Sequence, residues 1–461
     1  MELANEMHLT QDLLIPEGKT LLIAPGTTIK LDPDVSIECR GKLEALGTAE
    51  KPITIERANP DLPWGVFALQ GPGADGSRLE HVKFIGGGAR QVGRVEYKGA
   101  VCVHYAKGVV FDYCEFAHNQ RCDDLINVVK GDAAITNSHF HHANADSIDY
   151  DMSGGLVAWN LIEGSGNDGL DLMTCWPRVV GNRILNSGDK GISVGEDSSP
   201  LVFENLISGC VRGIEAKDRS EPFVFHSTLE KNQLGVYAHI KNWRYGEAGW
   251  PKFVRAVVAG NEQDYKVADD ACRTIADSRV AGADVPNAGD VEWAYRLHGV
   301  RSTSNAPGLH EGWQLAEPVA PRHEGTFSSG FGDTQAGWRA SGYVRRLCLR
   351  ELDLEATLRA GVGRIETTVD WDLSNQDEVH ELVVEVSSED LTEIRLVANG
   401  ADFGAAQLVQ LAGDRHEFRF ATMRLPAGRY TTFGVEASAT KSGSKVRLHS
   451  WRVLSWPKET P

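Results

Sequence analysis

Acidic and basic side chains recur in this sequence at a spacing that sets them side by side. Asp146, Asp149, Asp151, Asp168 and Asp171 are followed by Lys190, Arg212, Glu215, Lys217, Tyr237 and His239. Asp124, Asp146, Asp168, Lys190 and Arg212 stand 22 residues apart in succession, as do Asp149 and Asp171. Paired carboxylates suit glycoside hydrolysis: one protonates the leaving oxygen and the other activates water or attacks the sugar. Column neighbours would lie about 5 Å apart and diagonal pairs about 8 Å, so retaining and inverting geometries are both available. The same groups offer a second chemistry. Asp149, Asp151 and Asp171 could form an oxygen cage for Ca²⁺, and Lys190 or Lys217 could then abstract a proton beside a uronate carboxylate. A charged run is most often just a solvated face. Stacked carboxylates about 4.8 Å apart repel, however, which makes Asp146 over Asp168 a poor choice for solubility alone. The acids also fall on earlier repeats and the bases on later ones, converging near Asp168, Lys190, Glu215 and Lys217.

The elements that position these groups follow from the same period. Ser147-Ile148-Asp149, Gly169-Leu170-Asp171, Gly191-Ile192-Ser193, Gly213-Ile214-Glu215 and Gly235-Val236-Tyr237 recur every 22 residues. Two further aliphatic rows accompany them: Phe140, Ile162, Ile184, Ile207, Leu229, and Ile135, Val157, Val179, Val202, Val224. Three short β segments per repeat, each with its own apolar row, describe one coil of a parallel β-helix. A coil cannot bury its apolar residues alone, but stacked coils align them into interior ladders. An α-solenoid fails because the runs alternate with period two and are broken by Gly and Asn. Alternation sends Ile148 and Tyr150 inward and Asp149 and Asp151 outward. Asn160, Asn182 and Asn205 share one turn position and are expected to stack as an amide ladder.

The N-terminal stretch Pro16–Ile29, continuing through Gly41–Gly47 and Pro52–Ile55, reads as strands separated by Pro-Gly turns. It resembles the opening turns of right-handed β-helix proteins of the pectin-lyase-like superfamily, a resemblance covering roughly residues 10–300. The fold class expected is all-β: a right-handed parallel β-helix over 1–305, a linker over 306–321 and a β-sandwich over 322–461. The linker rests on Pro318, Pro321 and a Gly/Ser-rich piece. The sandwich rests on period-two segments such as 364–369, 381–386, 431–437 and 445–453. Its last strands are similar to those of carbohydrate-binding modules, which implies sugar binding.

The charged columns carry a second resemblance. Polygalacturonase-like hydrolases place Asn-Thr-Asp, Asp-Asp, Gly-His-Gly and Arg-Ile-Lys on successive coils. Asn144-Ala145-Asp146, Asn167-Asp168, Asp189-Lys190-Gly191 and Glu215-Ala216-Lys217 stand in that register. The resemblance implies Asp168 as proton donor, Asp146 as a group positioning water, and Lys217 as a ligand for a substrate acid or hydroxyl. Asn167, Lys190 and Glu215 depart from the pattern, which points to a different substrate. The leading expectation is a glycoside hydrolase acting on a polysaccharide or oligosaccharide. Its catalytic candidates are Asp168, Asp146, Asp149, Asp171 and Lys190. Its binding candidates are Lys217, Glu215, Arg212, Tyr237, His239, Trp243 and Tyr245. A hydrolase needs no cofactor. The alternatives are a calcium-dependent polysaccharide lyase or uronate epimerase, and a non-catalytic surface glycan-binding or scaffold protein. The Asp-Pro-His-Asp motif of alginate epimerases is absent.

Other features bound the reading. The segment Lys241–Trp250 could stack sugar rings on its aromatics or plug one flank of the helix. His139 and His141 point outward with Phe140 between them, giving two metal ligands without a matched third. The net charge of −17 argues against a nucleic-acid partner, and no run approaches the roughly 20 apolar residues of a membrane span. Eight cysteines without a Cys-x-x-Cys pair leave the redox compartment open. The start shows no signal peptide; an extracellular or periplasmic location is implied by the family resemblance alone.

Overall fold

The computed structural model describes residues 1–268 without a break and, beyond them, 271, 273–276, 278–280, 283–285, 294, 296–297, 300–301, 314–315, 322–326, 339–349, 354–389, 391–400, 404–409 and 417–458. The chain divides into two compact units. One comprises Met1–Pro251, Ala256–Asp270 and Arg279–Ala283; the other comprises Lys252–Arg255, Ala271–Ser278 and Asp284–Pro461. Apart from 314–315, the expected linker lies outside the described residues.

The first unit is a parallel β-helix. Asp132–Thr136, His139–His141 and Asp146–Asp151 make one coil. Its corners are single residues in the left-handed region: Asn137, His142 and Met152, with φ of 50°, 53° and 51°. Left-handed corners turn the chain within one residue, a conformation that non-glycine side chains adopt uncommonly. All three apolar rows lie in register and fully buried. Ile148, Leu170, Ile192, Ile214 and Val236 pair in sequence. So do Phe140, Ile162, Ile184, Ile207 and Leu229, and Ile135, Val157, Val179, Val202 and Val224. Upstream, Phe84, Phe116 and Phe140 continue one row as stacked rings, with centroids 5.2 and 4.5 Å apart.

The amide ladder forms as expected. Asn160 Nδ2 donates to Asn182 Oδ1 and Asn182 Nδ2 to Asn205 Oδ1, both at 2.9 Å. Each acceptor also takes a backbone N–H from the preceding coil, at 3.0 and 2.9 Å. Asn182 is buried, and its own Nδ2 satisfies the Val157 carbonyl at 2.8 Å. Asn182→Ala therefore strands two donors and one acceptor away from water. The expected cost is about 1–3 kcal/mol, read as a lower denaturant midpoint. An unchanged midpoint would show that the ladder contributes nothing.

The second unit carries antiparallel sheets. Arg339–Leu349, Leu354–Leu373, Gly428–Ala439, Leu391–Gly400 and Gly404–Val409 pair in that order. His323–Thr326, Lys445–Pro457, Glu378–Glu389 and Glu417–Leu425 form a second group. The long strand Leu354–Leu373 belongs to both: its start pairs with Lys445–Leu448 and its remainder with Gly428–Ala439. Inward residues including Ile365, Trp371, Val384, Leu396, Phe433 and Val453 pack into one core.

Candidate active site

An 11-stranded sheet, from Leu13–Ile15 to Gln263–Val267, carries the charged columns on its outer face. In the first column Asp124 pairs with Asp146 and Lys190 with Arg212, with Asp168 between them. The sequence reading places this column on the exterior face with the others; instead Asp124, Asp146, Asp168 and Lys190 are all buried. The reason is that the carboxylates fold onto the backbone of the next coil. Asp146 Oδ1 accepts from Asp168 N at 2.7 Å and from Asn167 Nδ2 at 2.8 Å. Asp168 Oδ1 accepts from Lys190 N at 3.0 Å and Lys190 Nζ at 3.2 Å. Lys190 Nζ also meets Asp189 at 2.6 Å.

The second column runs Asn127, Asp149, Asp171, Ser193, Glu215, Tyr237. Asn127 Nδ2 donates to Asp149 Oδ2 at 2.9 Å. The Asp171 side chain keeps 34% of its surface open. Glu215 is enclosed by Arg212 at 3.1 Å and His239 at 3.4 Å. Tyr237 stacks on His239 at 4.0 Å, and Lys266 Nζ lies 4.7 Å from the centre of the Tyr237 ring. In the third column Asp151 stands beside Met173 and Lys217 beside His239. Lys217 reaches back over Gly195: a Cβ there would come within 2.6 Å of its Cε. Its Nζ donates to Ser193 Oγ at 2.6 Å and lies 4.0 Å from Asp171.

The face is therefore bipolar. At the acid end, burial and then the surrounding carboxylates push Asp124 up to about 8 and Asp149 well above the usual carboxylate range. Burial pushes Asp146 up to about 6 against its hydrogen bond from Asp168 N. Burial also raises Asp168 to about 7; Lys190 pulls it down and Asp146 pushes it up. At the other end, burial would raise Glu215, but His239, Lys217, Lys190 and Arg212 hold it down to about 2. Burial opposes the charge on Lys190, yet Asp168 and Asp189 keep its ammonium above the ordinary value.

Two flanks frame this face. A hairpin, Arg90–Val92 with Val95–Tyr97, buries Tyr97 against Val66, Ala68 and Cys102. Beside it lies a cavity of about 580 Å³, with Arg90, Lys98, Arg121, Asp123 and Asn144 among its walls. On the other flank, Asp218 Oδ1 accepts from Lys241 N and Asn242 N, both at 2.7 Å. The loop that follows divides its aromatics: Trp250 is buried, whereas Trp243 is 79% exposed. Tyr245 neighbours Glu196, Asp197, Asp218 and Arg219, and Trp243 meets Arg244. Those contacts do not bring either ring onto the carboxylate cluster.

The carboxylates that converge include Asp146, Asp168 and Asp171 of the catalytic set read from the sequence but differ from the calcium set, Asp149, Asp151 and Asp171. Among the described residues, Asp146, Asp168 and Asp171 each offer an oxygen within 4.8 Å of the others, and so do Asp123, Asp124 and Asp146. Asp149 and Asp151 join neither group. Alternate residues along a strand stand about 7 Å apart, farther than neighbours across coils. Asp123, beside the first column but outside the repeat, carries no sequence signal. All-carboxylate oxygen donors suit a hard divalent cation of the calcium class. In the Asp123–Asp124–Asp146 group, Asp124 Oδ2 is buried without a hydrogen-bond partner.

These shifts have a sign. Asp146, Asp168 and Asp124 hold protons more tightly folded than unfolded, so the native state binds more protons between about pH 4 and about pH 8. Their contribution to stability is complete below about pH 4 and is lost as pH rises through the folded values. Glu215 works in the opposite sense, its contribution becoming complete only above its unfolded value of 4.5, so it opposes the fall only at the acid edge of the window. Melts in chelator should show a midpoint falling across it, and added Ca²⁺ should offset the fall most at the alkaline end. A flat profile would contradict the buried-acid assignment.

Among solved structures, the chain is similar to the enzymatically active domain of tailspike protein 4 of bacteriophage CBA120. The identity is 9% over 99% of this chain and 64% of that one, with a TM-score of 0.33; the chain thus spans just under two-thirds of that relative's length. It is similar to a variant of the periplasmic alginate epimerase AlgG at 13% identity, over 60% of this chain and 74% of that one, with a TM-score of 0.37. It is similar to pectate lyase Pel9A at 13% identity, over 65% and 80%, also with a TM-score of 0.37. None of the curated proteins matches the sequence. Residues 124–261, which carry the charged columns, match the family model described as the right-handed β-helix region.

Proposed function

We propose that this face cleaves an acidic polysaccharide by β-elimination. The observation that carries the reading is the convergence of Asp146, Asp168 and Asp171, the last of them 4.0 Å from the amine of Lys217. A polyuronate is drawn to the cationic end through Arg212 and Lys266. Its carboxylates would be repelled by the acid end unless that end is neutralised. A calcium-class cation held by Asp146, Asp168 and Asp171 would neutralise a uronate carboxylate and acidify the carbon proton beside it. Lys217, whose Nζ lies beside Ser193 Oγ and Asp171, takes that proton from C5. The electron pair forms the C4–C5 double bond, the C4–O4 bond breaks, and the departing oxygen takes a proton from solvent. Lys190 suits a fixed electrostatic role instead, because Asp168 and Asp189 hold it charged.

Hydrolysis is the second reading, and the raised Asp168 favours it as a proton donor in the neutral range. Against it, Asp168 is only 2% exposed and tied to Lys190. Chelation separates the two readings. Elimination predicts that activity on polyuronates disappears with chelator and returns with Ca²⁺. Activity indifferent to both would favour hydrolysis, and glycan binding without cleavage would favour a binding protein.

A further inference from the structure

Of the two histidines singled out in the sequence, His139 pairs with Glu163 at 2.8 Å, whereas His141 gains two histidine partners in the fold. His118 and His142 occupy equivalent left-handed corners one coil apart, with φ of 58° and 53°. They follow Glu115–Ala117 and His139–His141, which pair Glu115 with His139 and Ala117 with His141. One nitrogen from each of His118, His141 and His142 lies within 4.8 Å of the others. The His118 and His142 rings stack at 4.5 Å. His141 Nδ1 and His142 Nδ1 face each other at 2.7 Å.

The outer partner fixes which nitrogen is available. His141 Nε2 meets Glu115 Oε1 at 3.2 Å, and Lys83 holds the other Glu115 oxygen at 2.8 Å. A carboxylate facing Nε2 places the proton there in a neutral imidazole, leaving the Nδ1 lone pair toward His142. That arrangement is the one by which a carboxylate orients a metal-ligating histidine. At 2.7 Å the two nitrogens stand at hydrogen-bond distance, His142 donating to His141, and a metal ion can take the place of that proton. Zinc–nitrogen bonds of about 2.0–2.1 Å at a tetrahedral angle put such nitrogens about 3.3 Å apart, within side-chain adjustment of what is seen. His118 and His142 are exposed, so an ion has access. These strands belong to the 13-stranded sheet, not to the 11-stranded sheet of the charged columns.

We infer that His118, His141 and His142 bind a divalent transition-metal ion of the zinc class, which staples two successive coils and leaves a fourth position open to water. The site is independent of the proposed elimination chemistry.

The test is calorimetric titration of metal-stripped full-length protein with Zn²⁺ at neutral pH, with Ca²⁺ in excess to occupy the acidic face. Wild type should bind one equivalent and gain melting temperature. Glu115→Gln should weaken binding about 10–100-fold. His118→Ala, at an exposed corner, should fold normally, bind still more weakly and lose the zinc-dependent gain. Asp171→Asn should bind as wild type does. Absence of zinc binding in the wild type, or affinity unchanged by His118→Ala, would overturn the inference.

Discussion

Lys217→Met is expected to lower the rate on a polyuronate by about two to four orders of magnitude, the usual range for a lost proton-transfer group. Methionine keeps the unbranched stem that lies over Gly195 and removes only the amine. What is lost structurally is the hydrogen bond to Ser193 Oγ and a buried positive charge beside Asp171 and Glu215, so the melting temperature should fall and turnover is compared where the variant is still folded. Substrate binding, measured separately, should weaken far less than turnover falls. Gly195→Ala offers a milder version, because its methyl group would displace Lys217 without removing it. Loss of binding with turnover retained would instead make Lys217 a recognition residue, and near-normal kinetics would remove it from the site.

Asp168→Asn should produce a loss of comparable size, about two to four orders of magnitude at low Ca²⁺. Asparagine keeps an oxygen for Lys190 N, and Lys190 retains Asp189 at 2.6 Å, so the coil should remain folded. Under elimination the defect is one of cation affinity, and excess Ca²⁺ should recover part of the rate. Under hydrolysis the missing group is the acid itself, and no cation restores it. Near-normal activity without added Ca²⁺ would leave Asp168 with only its structural hydrogen bonds.

The helix was legible in the sequence because its physics repeats. Ile148, Leu170 and Ile192 each solve one burial problem at one position, so a period of 22 exposes the whole interior. The Asn160–Asn182–Asn205 ladder was readable for the same reason. Burial of the first charged column was not. Asp146 and Asp168 share the parity of the inward Ile148 and Leu170, but their charge reads as exterior until the backbone N–H groups that satisfy them are seen. The hairpin ending in Tyr97 is an insertion between coils and carries no periodic signal. The aromatic loop was divided by local anchoring: Asp218 fixes its start, Trp250 is buried, and Trp243 stays in solvent. His118 escaped because its partners, His141 and His142, lie one coil onward rather than beside it in sequence.

The most direct test of the central claim is the fate of solvent oxygen at the cut bond. Polyuronate should be digested in ¹⁸O-labelled water with Ca²⁺ and the products weighed by mass spectrometry. Elimination predicts that no label enters at cleavage and that each new non-reducing end is unsaturated, with matching ultraviolet absorbance. One ¹⁸O atom incorporated per bond cleaved, with saturated ends, would contradict the account and establish hydrolysis.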